Sequence, residues 1–325
     1  MSKPNPIQGA SPVASLVFRS CEEFEAAITT ANVHFCQFRP GRFAGGLVRV
    51  ELPGAVFQAG HHNVGQLCCA SGHPQMAHLV FALDSEHEIS CNGHPMHDGA
   101  VALYRPGAEH FSYSKGGAKW VSLAVESRVL TQTIAALSGA EAWEFPENCK
   151  IFRPSPPTLQ HLRSVIDRVH SAVDCESPAF QSDAGRRAVE QSLVTAIAQA
   201  VTERGCSPAT RSASMAHTQL VRSAHDFFRE NLGRPIYIAE LAAATRASER
   251  TLRKVFREFY GMSPVRYLSL LRMNQVRRAL RVADPQTASV TGVAAQCGYW
   301  DMGRFAVQYK ALFGEMPSQT LRSPA

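Results

Sequence analysis

The sequence predicts an α+β fold: an N-terminal antiparallel β-barrel with a helical pair, then an all-α C-terminal domain in which a long helix joins two helix-turn-helix motifs. Three observations carry this. Residues 47–125 read as short strands broken by turn signals, the apolar period becomes helical from Thr158, and a pattern of apolar, Gly and Pro positions recurs after 53 residues near the C-terminus. The 325 residues, 45% hydrophobic, suffice for about two domains with a core in each. The expected boundaries are 1–155 for the barrel, 156–203 for the helical pair, 204–216 for a linker and 217–325 for the helical domain.

In the barrel, Val48, Val50 and Leu52 alternate with Arg49 and Glu51, residues 77–83 form an apolar run, and Asn92-Gly93 is a two-residue hairpin signal. Residues 100–104 are stopped by Pro106-Gly107, and residues 120–125 make a last strand. Many strands and little helix predict a small closed antiparallel sheet. Leu159, Leu162, Ile166, Val169 and Val173 then share one helix stripe, and Val189, Leu193, Ile197 and Ala200 share another. Such a pair either packs back on the barrel or forms a dimer seam. Residues 202–216 are polar with Gly and Pro, as a linker is.

No run approaches the roughly 18 apolar residues of a membrane helix, and residues 1–12 lack the apolar stretch of a signal peptide, so a cytoplasmic protein without membrane contact is expected. The nine cysteines include no C-x-x-C pair and read as reduced thiols; vicinal Cys68-Cys69 reads as two small residues of an apolar strand. No phosphate loop or nucleophile motif is seen, so no catalytic residue, cofactor or metal is assigned.

The net charge of +6 is unevenly spread. Residues 211–325 hold 17 Lys+Arg against 8 Asp+Glu, which leaves residues 1–210 at net −3. Residues 246–281 alone hold ten basic residues against Glu249 and Glu258, a cluster that repels itself unless an anion neutralises it. That points the back half at a polyanion.

In this half a helix over 217–231 is ended by Gly233-Arg234-Pro235, and a short helix over 238–244 meets the turn Thr245-Arg246-Ala247. Ser248 then caps a helix to Tyr260 that Gly261 terminates. Leu252, Val255, Phe256 and Phe259 lie at packing spacing, with Arg250, Arg253, Lys254 and Arg257 opposite. Leu252, Phe256, Gly261, Pro264 and Leu268 recur 53 residues later as Phe305, Tyr309, Gly314, Pro317 and Leu321, and Leu241-Ala242-Ala243 recurs after 52 as Val293-Ala294-Ala295. Between the copies Ser263-Pro264 opens a helix to about Val282, some 20 residues and about 30 Å long, close to the spacing of successive major-groove faces.

These residues resemble bacterial transcriptional regulators of the AraC/XylS family. The motifs are Leu241-Ala242, Ser248-x-Arg250-x-Leu252, Gly261-x-Ser263-Pro264-x-x-Tyr267, Arg272 and Ala279-Leu280, then Val293-Ala294, Cys297-Gly298-Tyr299, Phe305, Tyr309-Lys310, Phe313-Gly314 and Pro317. Gly303-Arg304-Phe305-Ala306 and the residues around Phe313-Gly314 look like the XylS-like branch. The resemblance covers residues 219–322 and implies a seven-helix DNA-binding domain whose third and sixth helices enter the major groove. By motif position Arg246, Ser248, Arg250, Arg253, Lys254 and Arg257 are the DNA-binding residues of the first unit, and Asp301, Met302, Gly303, Arg304, Val307 and Gln308 those of the second. Arg304 is the one strong reader there, so the second helix is expected to add methyl contacts or positioning. Tyr237 stands where the family often has a capping Ser or Thr, and Gly292 where it often has an acid.

The family implies a signal-receiving barrel, and Gly99-x6-Pro106-Gly107-x-x-His110 resembles the second cupin motif, which makes the barrel cupin-like. The first motif, with its H-x-H, is absent, so a metal set is not expected. A small organic effector, an aromatic or other organic acid, is expected instead, with His78, Arg105, His110 and Trp120 as candidate anchors. The expected partners are promoter DNA, the effector, RNA polymerase and a second copy of the chain; activation is expected on family grounds. The alternatives are a cupin-type metalloenzyme with a DNA-binding appendage, a repressor acting without ligand, and a sequence-indifferent architectural protein.

Overall fold

The computed structural model describes residues 11–83, 87–139, 143–147, 149–203, 207–208 and 215–323. The first part runs β1 (Val13–Phe18), α1 (Cys21–Ala27), β2 (Ala31–Gln37), β3 (Gly45–Glu51), β4 (Ala55–His62), β5 (Gln66–Gly72) and β6 (Met76–Leu83). There follow β7 (Ile89–Cys91), β8 (His94–Pro95), β9 (Val101–Tyr104), β10 (Glu109–Ser114), β11 (Ala118–Glu126), α2 (Ser127–Ser138) and β12 (Cys149–Arg153). The strands begin well before residue 47. The β1–α1–β2 segment escapes the sequence reading because a helix that Ser20 caps from its own side chain interrupts the strand pattern.

Two antiparallel sheets face each other, one ordered β1-β3-β4-β11-β6-β9-β12, with β13 (Ser207–Pro208) beside β12, and the other β2-β5-β10-β7-β8. The Asn92-Gly93 signal makes the expected hairpin between β7 and β8, with both residues at positive φ (48° and 77°), as a type I′ turn requires. The helical pair is α3 (Pro156–Asp174) and α4 (Asp183–Thr202), joined by a 3-10 turn at Pro178–Phe180. Leu162, Val165, Ile166, Val169 and Val173 pack on Phe57, Leu79, Val101, Leu103 and Leu123 of the larger sheet's outer face. Of the two fates left open for the pair, this stripe takes the barrel. Burying each such side chain contributes about 1.5–3 kcal/mol, which suffices to hold the layer without a partner chain.

Residues 204–206 and 209–214 of the expected linker lie outside the described residues, while Ser207–Pro208 (β13) pairs with β12. Seven helices follow: α5 (Met215–Asn231), α6 (Ile238–Ala244), α7 (Glu249–Tyr260), α8 (Pro264–Val282), α9 (Val290–Gln296), α10 (Met302–Phe313) and α11 (Pro317–Arg322). Their core is continuous with the barrel's smaller sheet: Cys36, Leu67, Phe111 and Tyr113 share one buried cluster with Val221, Phe228, Phe256 and Phe259. The molecule is therefore layered as helices, larger sheet, smaller sheet and helical domain. Among the described residues, no helix is long and apolar enough to cross a membrane.

Candidate nucleic-acid interface and barrel cavity

Each helix-turn-helix unit is built by local rules. Ser248 Oγ accepts the Thr251 N–H (3.1 Å) to start α7, and Asp301 Oδ1 accepts the Arg304 N–H (3.0 Å) to start α10. Both helices end on a left-handed glycine, Gly261 (φ 65°) and Gly314 (φ 71°), whose N–H bonds the carbonyl four residues back. The turns also correspond: Arg246 takes φ 52° in the first and Gly298 takes φ 83° in the second. Tyr237 starts α6 without a side-chain cap, as its departure from the family pattern implies, whereas Ser289 caps α9 onto the N–H of Gly292.

The buried face of α7 is Leu252, Val255, Phe256, Phe259 and Tyr260, and Arg246, Ser248, Arg250, Arg253, Lys254 and Arg257 are all exposed. Arg253 Nη2 donates to Glu249 Oε2 (2.7 Å), an exposed i,i+4 pair weak enough to yield to a stronger anion. On α10, Asp301, Gly303, Arg304, Val307 and Gln308 are exposed and Met302 half-buried. Ser248 and Asp301 thus have structural duties as caps. Sequence reasoning missed Trp300, 78% exposed beside the cap of α10; its signal was an indole in a turn with no apolar periodicity to absorb it.

Not every arginine in the basic stretch is free for an external anion. Arg278, on α8, donates through Nη1 and Nη2 to both oxygens of Glu25 (2.9 and 2.6 Å) and to the Phe35 carbonyl (2.6 Å). Arg281 donates to Glu23 (2.5 Å). Arg277, buried, forms an ion pair with Glu315 (3.1 Å), and its Nε lies 3.3 Å from Glu22 but out of hydrogen-bond alignment. The expectation that this whole cluster awaits a polyanion is corrected: three of its arginines are neutralised largely by acidic α1 of the same chain. Burial alone would raise the Glu25 pKa, but hydrogen bonds from His34 and Arg278 hold it down to about 2.

The same face of α8 carries Asn274, which accepts the Gln37 N–H and donates to the Gln37 carbonyl (both 2.9 Å), pairing the free edge of β2. Gln37 Nε2 in turn donates to the Leu312 carbonyl (2.9 Å), as does the Gly41 N–H (3.1 Å). The barrel thus touches the ends of both recognition helices, Tyr113 lying against Gly261 and Arg42 against Gly314.

Between the sheets lies a cavity of about 140 Å³. Strand parity decides its walls: β5 presents Gln66, Cys68, Ala70 and Gly72 inward, while Leu67 joins the helical domain's core. Cys68 and Cys69 therefore point to opposite faces, as free thiols. On β11 Ala118, Trp120 and Ser122 face the cavity, and on β6 His78, Val80 and Ala82 do. Three of the four expected effector residues, His78, His110 and Trp120, are brought together here. Arg105 is not: it is exposed in the turn after β9, because Tyr104 takes the inward position and Pro106-Gly107 ends the strand.

Sequence reasoning missed His62, Gln58, Gln66 and Tyr104 on the wall, although Gln58 alternates with outward Phe57 and Ala59 and was legible from parity. His62, His78 and His110 are each held down to about 4 by burial, so they are neutral at pH 7. Among the described residues no three His, Cys, Asp or Glu side chains converge as a metal set.

A model of a family described as a helix-turn-helix domain matches residues 241–323. The chain is 36% identical over 104 residues to a probable thc operon regulatory protein of Rhodococcus erythropolis, a match that covers 32% of this chain and 31% of that one. It is 35% identical over 96 residues to a XylDLEGF operon transcriptional activator of Pseudomonas putida, covering 30% of each. The chain thus spans about a third of the length of these relatives. The crystal structure of a probable AraC family transcriptional regulator from Rhodopseudomonas palustris is 36% identical, with 32% of this chain and 94% of that chain covered and a TM-score of 0.29.

Proposed function

We propose, from the premise that the C-terminal domain belongs to the AraC/XylS family of helix-turn-helix proteins, that the protein is a sequence-specific, DNA-binding transcriptional activator acting in the cytoplasm under control of a small organic effector held in the barrel. The observation that carries this is the pair of matched units, each with a capped recognition helix whose outer face is exposed, one of them lined by four basic residues. Arg250, Arg253, Lys254 and Arg257 read or grip one major groove, and Arg304 with Val307 and Gln308 faces the next. Arginine suits bidentate contact with guanine, and the methyls of Val307 suit thymine.

Control follows from the layering. Sheet β2-β5-β10 has the cavity on one face and the helical domain on the other, so a ligand that shifts His110 or Ser112 on β10 shifts Phe111 in the shared core. Asn274 and Arg278 couple β2 to α8, the helix between the two units. RNA polymerase is the partner an activator requires, and a second copy of the chain would double the site read. The reading assigns no reaction to the chain.

The test is a competition between duplex recovered by genome-wide mapping of bound sites and a scrambled duplex, at two salt concentrations. A specificity ratio above about 10³ with steep salt dependence is expected; a ratio near one would leave an architectural protein.

A further inference from the structure

The cavity has polar groups and no ionic ones. Among the described residues that line it there is no Lys, Arg, Asp or Glu. Its histidines carry no charge at neutral pH, and each has a fixed role. His78 Nε2 accepts the His73 N–H (3.3 Å), so its proton is on Nδ1, and His62 donates from Nδ1 to the Val64 carbonyl (2.9 Å), which leaves Nε2 as an acceptor. A carboxylate placed here would exchange its hydration for a site without a counter-cation, one of the costliest transfers a protein can impose.

The same wall holds polar atoms with no partner. Gln58 and Gln66 are 0% and 2% exposed; Thr30 occupies the amide oxygen of Gln58 and Cys21 that of Gln66, yet neither Nε2 has an acceptor. His110 bonds Ser112 through Nε2 (2.8 Å) and leaves Nδ1 unpaired. A buried donor left without an acceptor is destabilising, and a ligand that supplies acceptors recovers this. The remaining wall is largely apolar or aromatic, with Trp120 and Phe35, and adds the neutral hydroxyls of Tyr104, Ser114 and Ser122. A cavity of about 140 Å³ is the size that, in other proteins, accommodates a single benzene ring at about 150 Å³.

Resting on the proposed effector role of the barrel, we propose that its ligand is an uncharged compound of about one aromatic ring that carries a hydrogen-bond acceptor for Gln58 and Gln66, and that organic acids are excluded. The specificity-determining residues are Gln58 and Gln66, with His110 as a third polar contact. This replaces the organic acid that the sequence suggested, because the one permanent cation in that expected set, Arg105, lies outside the cavity.

Benzamide and benzoate, nearly identical in shape and different in charge, make the test. Calorimetric titration of the full-length protein at pH 7.5 is expected to give saturable binding of benzamide and at least about 100-fold weaker binding of benzoate. In Gln66→Met, which keeps the volume and removes the unmet donor, benzamide should bind about 10-fold more weakly while the unliganded protein melts at the same or a higher temperature. Gln58→Met should weaken benzamide likewise, which guards against one variant failing to fold. Benzoate binding as well as benzamide, failure of both to bind, or unchanged affinity in folded variants would each overturn the assignment. The ratio of specific to scrambled duplex binding is measured on the same preparation without ligand, so failure of the DNA-binding reading is seen separately from failure of the cavity.

Discussion

The two helix-turn-helix units share a scaffold and differ in what they show to solvent. Both have an N-cap from a short polar side chain, a buried aromatic face, a left-handed terminal glycine and a barrel contact at that glycine. Yet α7 exposes four basic side chains, while α10 exposes two, Arg304 and, at the position of Arg257, Lys310, with a Val307 that is 71% open, beside Trp300. The two units agree at the positions that fold them and differ on the exposed face, because exposed positions contribute little to stability and are free to differ. The exposed face of α7 is dominated by cations, that of α10 by fewer cations beside apolar side chains.

The largest expected effect breaks this comparison at its strong side. Arg250→Ala/Arg253→Ala should weaken binding to the specific duplex by more than about 100-fold and relax preference at the contacted base pairs, read by titration against a library of single-base variants. An equal loss on all sequences would mean that these arginines only grip phosphate.

Next in size is Glu25→Ala, which strands Arg278 at the junction of barrel and α8; urea unfolding should show a loss of about 2–4 kcal/mol. Because the Glu25 pKa is held at about 2 against an ordinary 4.5, its contribution is fully present above pH 4.5 and is lost as pH falls toward 2. A variant with unaltered acid stability would show that the Glu25–Arg278 pair does not hold the barrel to α8.

Arg304→Ala tests the weak side. It should cost about tenfold in affinity, less than the α7 double variant, and a larger loss would reverse the comparison. The smallest effects concern the turns: Gly298→Ala imposes only the conformational cost of φ 83°, since its nearest contact to an added Cβ is 3.7 Å, and should lose about 1–2 kcal/mol. Arg246→Gly, the mirror exchange, should gain less than about 1 kcal/mol, because glycine also loosens the unfolded chain, and calorimetric melting reads both.

Much of this was legible without coordinates. The start of α8 and both ends of α7 follow from capping Ser263 and Ser248, Pro264 and left-handed Gly261, all of which act within four residues along the chain. His78, His110 and Trp120 were legible as polar or aromatic groups in strands. Arg105 was misleading because it stands one residue beyond an inward position, and a shift of one residue on a strand changes face. The inward place of Gln58 was legible from its alternation with Phe57 and Ala59, but the unmet donors of Gln58 and Gln66 were not, since only neighbours in space deny an amide its partner.

By itself the sequence determined the doubled helix-turn-helix unit, most of its helix ends and its exposed arginines, because helix caps, turns and periodicity are short-range and local in chain order. Only the tertiary structure decided which charges stay available and what the cavity tolerates. Arg278 meets Glu25 across 253 residues, and the cavity is neutral because strands from distant parts of the chain happen to turn no cation inward. Burial and pairing depend on who the neighbours are in space, and that information is not periodic in the chain.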